Sequence, residues 1–232
     1  MASLTDGVFN PEGLFADSAG DLYVVDTGAN EVTVYPKGSN KPSATYTQDL
    51  SFPQDAAVDS KGTLYVTSSS NDLIVEYPNG STYPSLTFSP PGEPVGLAID
   101  KHDNLYVTTV DSGTIYRFRR GATQGKALPY QMPGSAPNTC GLAFDLKGRL
   151  FVTDLHANAV YGFSGKSPMP FETITDGINY PYFRGFAPDG SLYVPNPGAN
   201  DVTVYAPNST SVEATFSQDI SVPGGVAFLS VK

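Results

Sequence analysis

Along the chain, short apolar runs alternate with polar turns at a nearly fixed interval. "LYVV" at Leu22 and "VTVY" at Val32 are joined by a polar step, and the same pair of runs recurs at "LYVT", "LYVT", "LFVT" and "LYVP", beginning at Leu64, Leu105, Leu150 and Leu192. The anchoring leucines lie 42, 41, 45 and 42 residues apart. Eleven residues upstream of each stand Pro11, Pro53, Pro94, Thr139 and Pro181, and ten residues downstream stand Val32, Ile74, Ile115, Val160 and Val202. A register this regular over the whole chain marks a repeat architecture.

Each unit divides into four strand-like pieces, shown in the first by "GLFAD", "LYVVD", "VTVYP" and "SATYT". β-Branched and aromatic residues dominate them, and no segment carries a convincing helical period. Gly-bearing turns such as "DSAGD" and "DSKGT" join the first strand to the second. A tandem four-stranded antiparallel meander of about 42 residues is the pattern of a β-propeller blade. The sequence therefore predicts an all-β chain, residues 1–232 forming a single propeller domain with five complete repeats. "PGGVAFLSV" at the C-terminus reads as a first strand and "ASLT" at the N-terminus as a fourth. The expectation is an incomplete sixth blade built from both termini, with six inner strands around the axis. Five blades with an extra terminal strand, or a six-bladed ring cut short, are the other readings. An open edge on that sixth blade would offer a homodimer contact.

Composition narrows the function classes. The 232 residues carry 13 Lys and Arg against 23 Asp and Glu, a net charge of −10. With basic residues scattered, a nucleic-acid partner is not expected. No apolar run reaches the length of a membrane span. The single cysteine, Cys140, forms no internal disulfide and no thiolate zinc site. Few lysines beside abundant Ser, Thr, Asn and Tyr give the look of an exported protein, extracellular or periplasmic.

The consensus "PxGLAxDxxGxLYVxDxxxNxVxVY" resembles the NHL repeat and, more widely, the SMP-30/gluconolactonase-like propellers. That resemblance covers nearly the whole chain. It implies either a binding module or a divalent-metal-dependent lactonase, hydrolase or lyase. Lactonase-like members hold a divalent ion at the channel mouth, and Glu12 in "PEG" matches the place of one ligand. The family's Asn would fall at Cys140 in "TCGLA", and its "SDG" aspartate has no clean counterpart. The binding reading needs no cofactor and no metal, whereas the enzyme reading would bring Ca²⁺.

Topology sorts the remaining candidates. In a meander, the residue before strand one and the loop between strands two and three share one face. Around the ring this gives Glu12, Gln54, Val95, Cys140, Tyr182 and Gly224, with Asp26, Asp111, Asp154, His156 and Asn196 in the loops. Arg184 breaks an apolar first-strand position, as an anion clamp or as a structural ion pair with Glu12 or Asp154. His156, two residues after Asp154, is a general base or an exposed loop histidine. Cys140 is a nucleophile served by His156 or a small buried thiol. His102 lies on the opposite face and reads as inert. The recurrent Asp17, Asp59, Asp100 and Asp145 read as caps of the first turn. The ligand expected at the channel mouth is a small molecule, a peptide or a glycan.

Overall fold

A computed structural model of the chain describes residues 8–110, 112–134, 137–165, 167–182 and 185–228. These residues form a five-bladed propeller, each blade a four-stranded antiparallel sheet ordered from the axis outwards. Blade one comprises β1 (Pro11–Ala16), β2 (Leu22–Asp26), β3 (Glu31–Tyr35) and β4 (Ala44–Tyr46). Blade two comprises β5 (Pro53–Val58), β6 (Leu64–Ser68), β7 (Leu73–Tyr77) and β8 (Leu86–Phe88). Blade three comprises β9 (Pro94–Ile99), β10 (Leu105–Thr109), β11 (Ile115–Phe118) and β12 (Lys126–Ala127). Blade four comprises β13 (Thr139–Phe144), β14 (Leu150–Asp154), β15 (Ala159–Phe163) and β16 (Glu172–Ile174), and blade five β17 (Gly185–Phe186), β18 (Leu192–Asn196), β19 (Asp201–Tyr205) and β20 (Val212–Phe216). Among the described residues no helix is long and apolar enough to cross a membrane.

A twisted sheet with two apolar faces is stable only if both are covered, and neighbouring blades cover each other. Val25, Val32 and Val34 of blade one pack against Leu64, Val66, Val75 and Tyr77 of blade two, and equivalent clusters fill the following gaps. The last aromatic of each third strand (Tyr35, Tyr77, Phe118, Phe163, Tyr205) is at most 1% exposed. Among the described residues, Tyr77 and Tyr205 use their hydroxyls on the link entering their own blade. Tyr77 donates to the Gln48 carbonyl and Tyr205 to that of Asp176.

The inner strands are not regular. In blade two Pro53 opposes Ser68 and Ala56 opposes Val66, so Gln54 and Asp55 together face Thr67. Blades three and four repeat this bulge, and blade one has one at Glu12. The Thr67 hydroxyl receives the Asp55 N–H at 2.9 Å and donates to the Val95 carbonyl of the next blade at 2.7 Å. Thr108 does the same with Gly96 and Cys140, at 2.8 and 2.7 Å. Just outside this row, Thr27 and Ser69 donate to the carbonyls of Pro53 and Pro94. Buried hydroxyls therefore tie each of the first three blades to the next. Glycine is needed where the strands meet most closely: a Cβ on Gly96 would lie 1.8 Å from the Cys140 carbonyl oxygen.

Among the described residues the expected sixth blade is not formed. Residues 223–228 carry no strand. They pass between blades five and one instead. A Cβ on Gly224 would come within 2.6 Å of the Glu12 carbonyl oxygen, and one on Gly185 within 3.0 Å of the Phe228 ring. No described strand pairs with this segment, and it fills the gap by packing. The proposed N-terminal strand, Ala2–Thr5, lies outside the described residues. β20 is the outer edge strand of blade five, as β4, β8, β12 and β16 are of the other blades, and its Phe216 is 53% exposed.

Two substitutions test the interlock. Gly96→Ala is expected to cost about 3 kcal/mol by overpacking against backbone. Thr67→Val, which keeps the shape and strands a buried N–H and a buried carbonyl, is expected to cost about 1–3 kcal/mol. Urea unfolding with unchanged m-values is the measurement, and wild-type midpoints for both would refute the interlock.

Candidate functional site

The bulges bring residues of neighbouring inner strands together at one end of the ring, and bulges often re-aim side chains in this way. Glu12, Gln54, Val95 and Cys140 are the bulge residues of the first four blades, and Tyr182 precedes β17 in the fifth. The structure brings Glu12, Gln54 and Tyr182 together. The Tyr182 hydroxyl donates to Glu12 Oε2 at 3.1 Å. Burial pushes the Glu12 carboxyl above its ordinary value, against polar contacts with Tyr182, Thr27 and Gln54 that pull it back. Burial, aided by the nearby Cys140 and Glu12, also raises the Tyr182 phenol. The Tyr182 proton therefore stays on the phenol and can be donated.

Cys140 is 3% exposed and packs with Val95, Leu155 and Tyr182. His156 is exposed on its loop. Asp26, Asp154 and Asn196 occupy one equivalent position at the end of the second strand, all fully buried. Each holds backbone. Asp26 Oδ1 accepts the N–H groups of Asn10 and Ala29, and Asn196 Oδ1 that of Asn179. Asp154 Oδ1 accepts those of Asn138, His156 and Ala157. Its Oδ2 has no hydrogen-bond partner among the described residues. Blade one shows why: Phe9 donates its N–H to Asp26 Oδ2, and the equivalent residue in blade four is Pro137, which has no N–H. Arg184 and Asp111 lie outside the described residues. Among those described, no three His, Cys, Asp or Glu side chains converge as a metal site.

The first-turn aspartates cap their turns as their positions predict. Asp17 Oδ1 accepts the N–H groups of Ala19, Gly20 and Asp21, and Asp59, Asp100 and Asp145 act in the same way. One residue escaped the sequence reading. Asp55 is 7% exposed on β5 and accepts the Leu97 N–H of the next inner strand at 2.9 Å. The signal was present, since Gly13, Gly96 and Gly141 hold the same register position in other units.

No family model matches the chain, and no curated protein matches it. Solved structures do match in fold. A chain of a nidogen/laminin complex is 22% identical with a TM-score of 0.79, covering 94% of this chain and 84% of its own. A catalytically inactive virginiamycin B lyase from Staphylococcus aureus, with quinupristin, is 14% identical with a TM-score of 0.74, covering 98% of this chain and 77% of its own. A protein of unknown function from Bacteroides caccae is 13% identical with a TM-score of 0.72, covering 94% and 85%. At these identities the likeness is one of fold.

The raised Glu12 carboxyl fixes a sign. A carboxyl that holds its proton more tightly when folded stabilises the fold fully below its unfolded value, and that contribution is lost as pH rises through the folded one. Glu12→Gln removes this loss. The melting temperature of the variant relative to wild type is therefore expected to climb from pH 4 to pH 7, as read by thermal scans across that range. A pH-independent difference would refute the assignment.

Proposed function

We propose that the chain is a binding propeller whose ligand sits at the channel mouth formed by Glu12, Gln54 and Tyr182. The observation that carries this reading is the Glu12–Tyr182 pair: a partly buried carboxyl at the blade-one bulge and a partly buried phenol just before β17. Such a pair offers an acceptor and a donor in partly dry surroundings, where hydrogen bonds to a ligand gain strength. Hydroxyl- or amide-rich ligands suit it, which favours a glycan or peptide over a purely apolar molecule. Exposed Asn and Tyr side chains on the surrounding loops extend the same polar surface. The exported composition supports an extracellular or periplasmic setting. Phe216, exposed on the outer strand of blade five, supports a homodimer contact there.

A second reading is favoured by the raised Glu12 carboxyl, since groups shifted toward neutral pH serve as general acids or bases. Under that reading the propeller is an enzyme of the lyase or hydrolase kind, with Ca²⁺ as a cofactor if it is of the lactonase type. Among propellers of this shape, one belongs to a nidogen/laminin complex and another is a lyase.

One set of measurements separates the readings. Thermal-shift screening against glycans, peptides and small molecules, with and without Ca²⁺ and EDTA, is expected to give metal-independent stabilisation by mass action. Glu12→Gln and Tyr182→Phe should each weaken the hit by about tenfold, the loss of one buried hydrogen bond. Turnover lost in Glu12→Gln with affinity kept would favour the enzyme. Wild-type affinity in both variants would remove the site.

A further inference from the structure

The channel opens differently at its other end. There the inner strands line a cavity of about 720 Å³, inside the usual range of small-molecule sites. Its wall is apolar, with Leu14, Ala56, Leu97 and Leu142 from four inner strands and Val226 from the C-terminal segment. Phe15, Phe144, Phe186 and Phe228 also line it, and all four are only partly buried. This is apolar surface that water reaches and that an apolar body would cover.

The charge is one-sided. Among the described lining residues, Asp17, Asp55, Asp59, Asp100 and Asp103 face a single base, Lys101. Three of these carboxylates are the turn caps that the repeat requires. The other two are not. Asp103 stands where the other units have Gly20, Gly62, Gly148 and Gly190, and it keeps their left-handed backbone, at φ 59°. Asp55 stands where three units have glycine. Left-handed backbone disfavours a side chain at Asp103, Asp55 lies in extended strand, and both departures from glycine add a carboxylate to this one cavity. Asp103 is held by Ser60, which donates to it from both N–H and hydroxyl, and it is shared with Arg120 at 3.1 Å. Those Ser60 hydrogen bonds keep its carboxyl ionised to lower pH than usual. For Asp100, hydrogen bonds from Asn104, His102 and Tyr106 outweigh burial to the same end.

We propose that this cavity is a second binding site, at the opposite end of the channel from Glu12, for a small organic cation: an ammonium carrying an aromatic or alkyl body. The body lies against the leucine and phenylalanine wall. The ammonium sits at the acidic arc of blades one to three, where ring faces add their own attraction for cations. Anions of the same shape are repelled.

The test uses the full chain and three probes of one shape: phenethylammonium, neutral phenethyl alcohol and anionic 3-phenylpropanoate. Binding is followed by methyl-resolved NMR titration at low salt. Phenethylammonium is expected to saturate, shifting the methyls of Leu14, Leu97 and Leu142. The alcohol should bind at least about fivefold more weakly, and the carboxylate should not bind. Two exposed rim positions tune the charge without touching a turn cap. Ser18→Lys should weaken the cation about fivefold and Lys101→Glu should tighten it by a similar factor. Glu12→Gln should leave it unchanged, so failure at the mouth and failure here remain distinct. Equal binding of alcohol or carboxylate, shifts confined to other methyls, or affinity indifferent to both rim variants would each overturn the proposal.

Discussion

The fold depends on a hydroxyl placed at a bulge. At Thr67 and Thr108 one side-chain oxygen serves two blades: it receives an N–H of its own inner strand and donates to a carbonyl of the next. A regular ladder would have no use for it. The bulge leaves that N–H facing β6 or β10 rather than a ladder partner, and threonine is small enough to reach both groups. Such buried bonds add about 1 kcal/mol each, but leaving the groups unmade would cost more. They also fix how near the inner strands come, which is why Gly96 has no room for a Cβ.

Much of this was legible in the sequence because the repeat is periodic. The leucine anchors and the third-strand aromatics recur once per unit and the Asp caps in four units of five, and each has one structural job. All five sheets fall where the spacing puts them. The bulges were harder to read. A strand with one residue too many has no local signature; it shows only once Gln54 and Asp55 are seen to share Thr67. Closure of the ring was illegible for a different reason. "PGGVAF" has the composition of a first strand, but composition does not supply partners. With no ladder partner among the described residues, the segment packs its glycines against β1 and its Phe228 against Tyr193.

The candidate site was half legible. Glu12, Gln54 and Tyr182 followed from topology, and the structure groups them. Asp26, Asp154 and Asn196 followed from the same reasoning, yet they spend their oxygens on backbone. Polar residues in loops over a channel can serve either the loop or a ligand, and sequence position does not tell the two apart. Asp154 illustrates the dependence on detail: a single proline at position 137 removes the donor that its counterpart Asp26 enjoys.

The two ends of the channel differ because a bulge divides each of the first four inner strands. Before it, backbone is held by the hydroxyl interlock, and the side chain turned to the axis varies freely among Glu12, Gln54, Val95 and Cys140. After it, the ladder is regular, and its axial residues must resemble each other to fill a ring of similar blades. Polar variety is therefore confined to the mouth, and an apolar wall follows at the far end whatever the ligand. The carboxylates of Asp55 and Asp103 are the exceptions to that rule: Asp103 stands where the four other units have glycine, and Asp55 where three of them do.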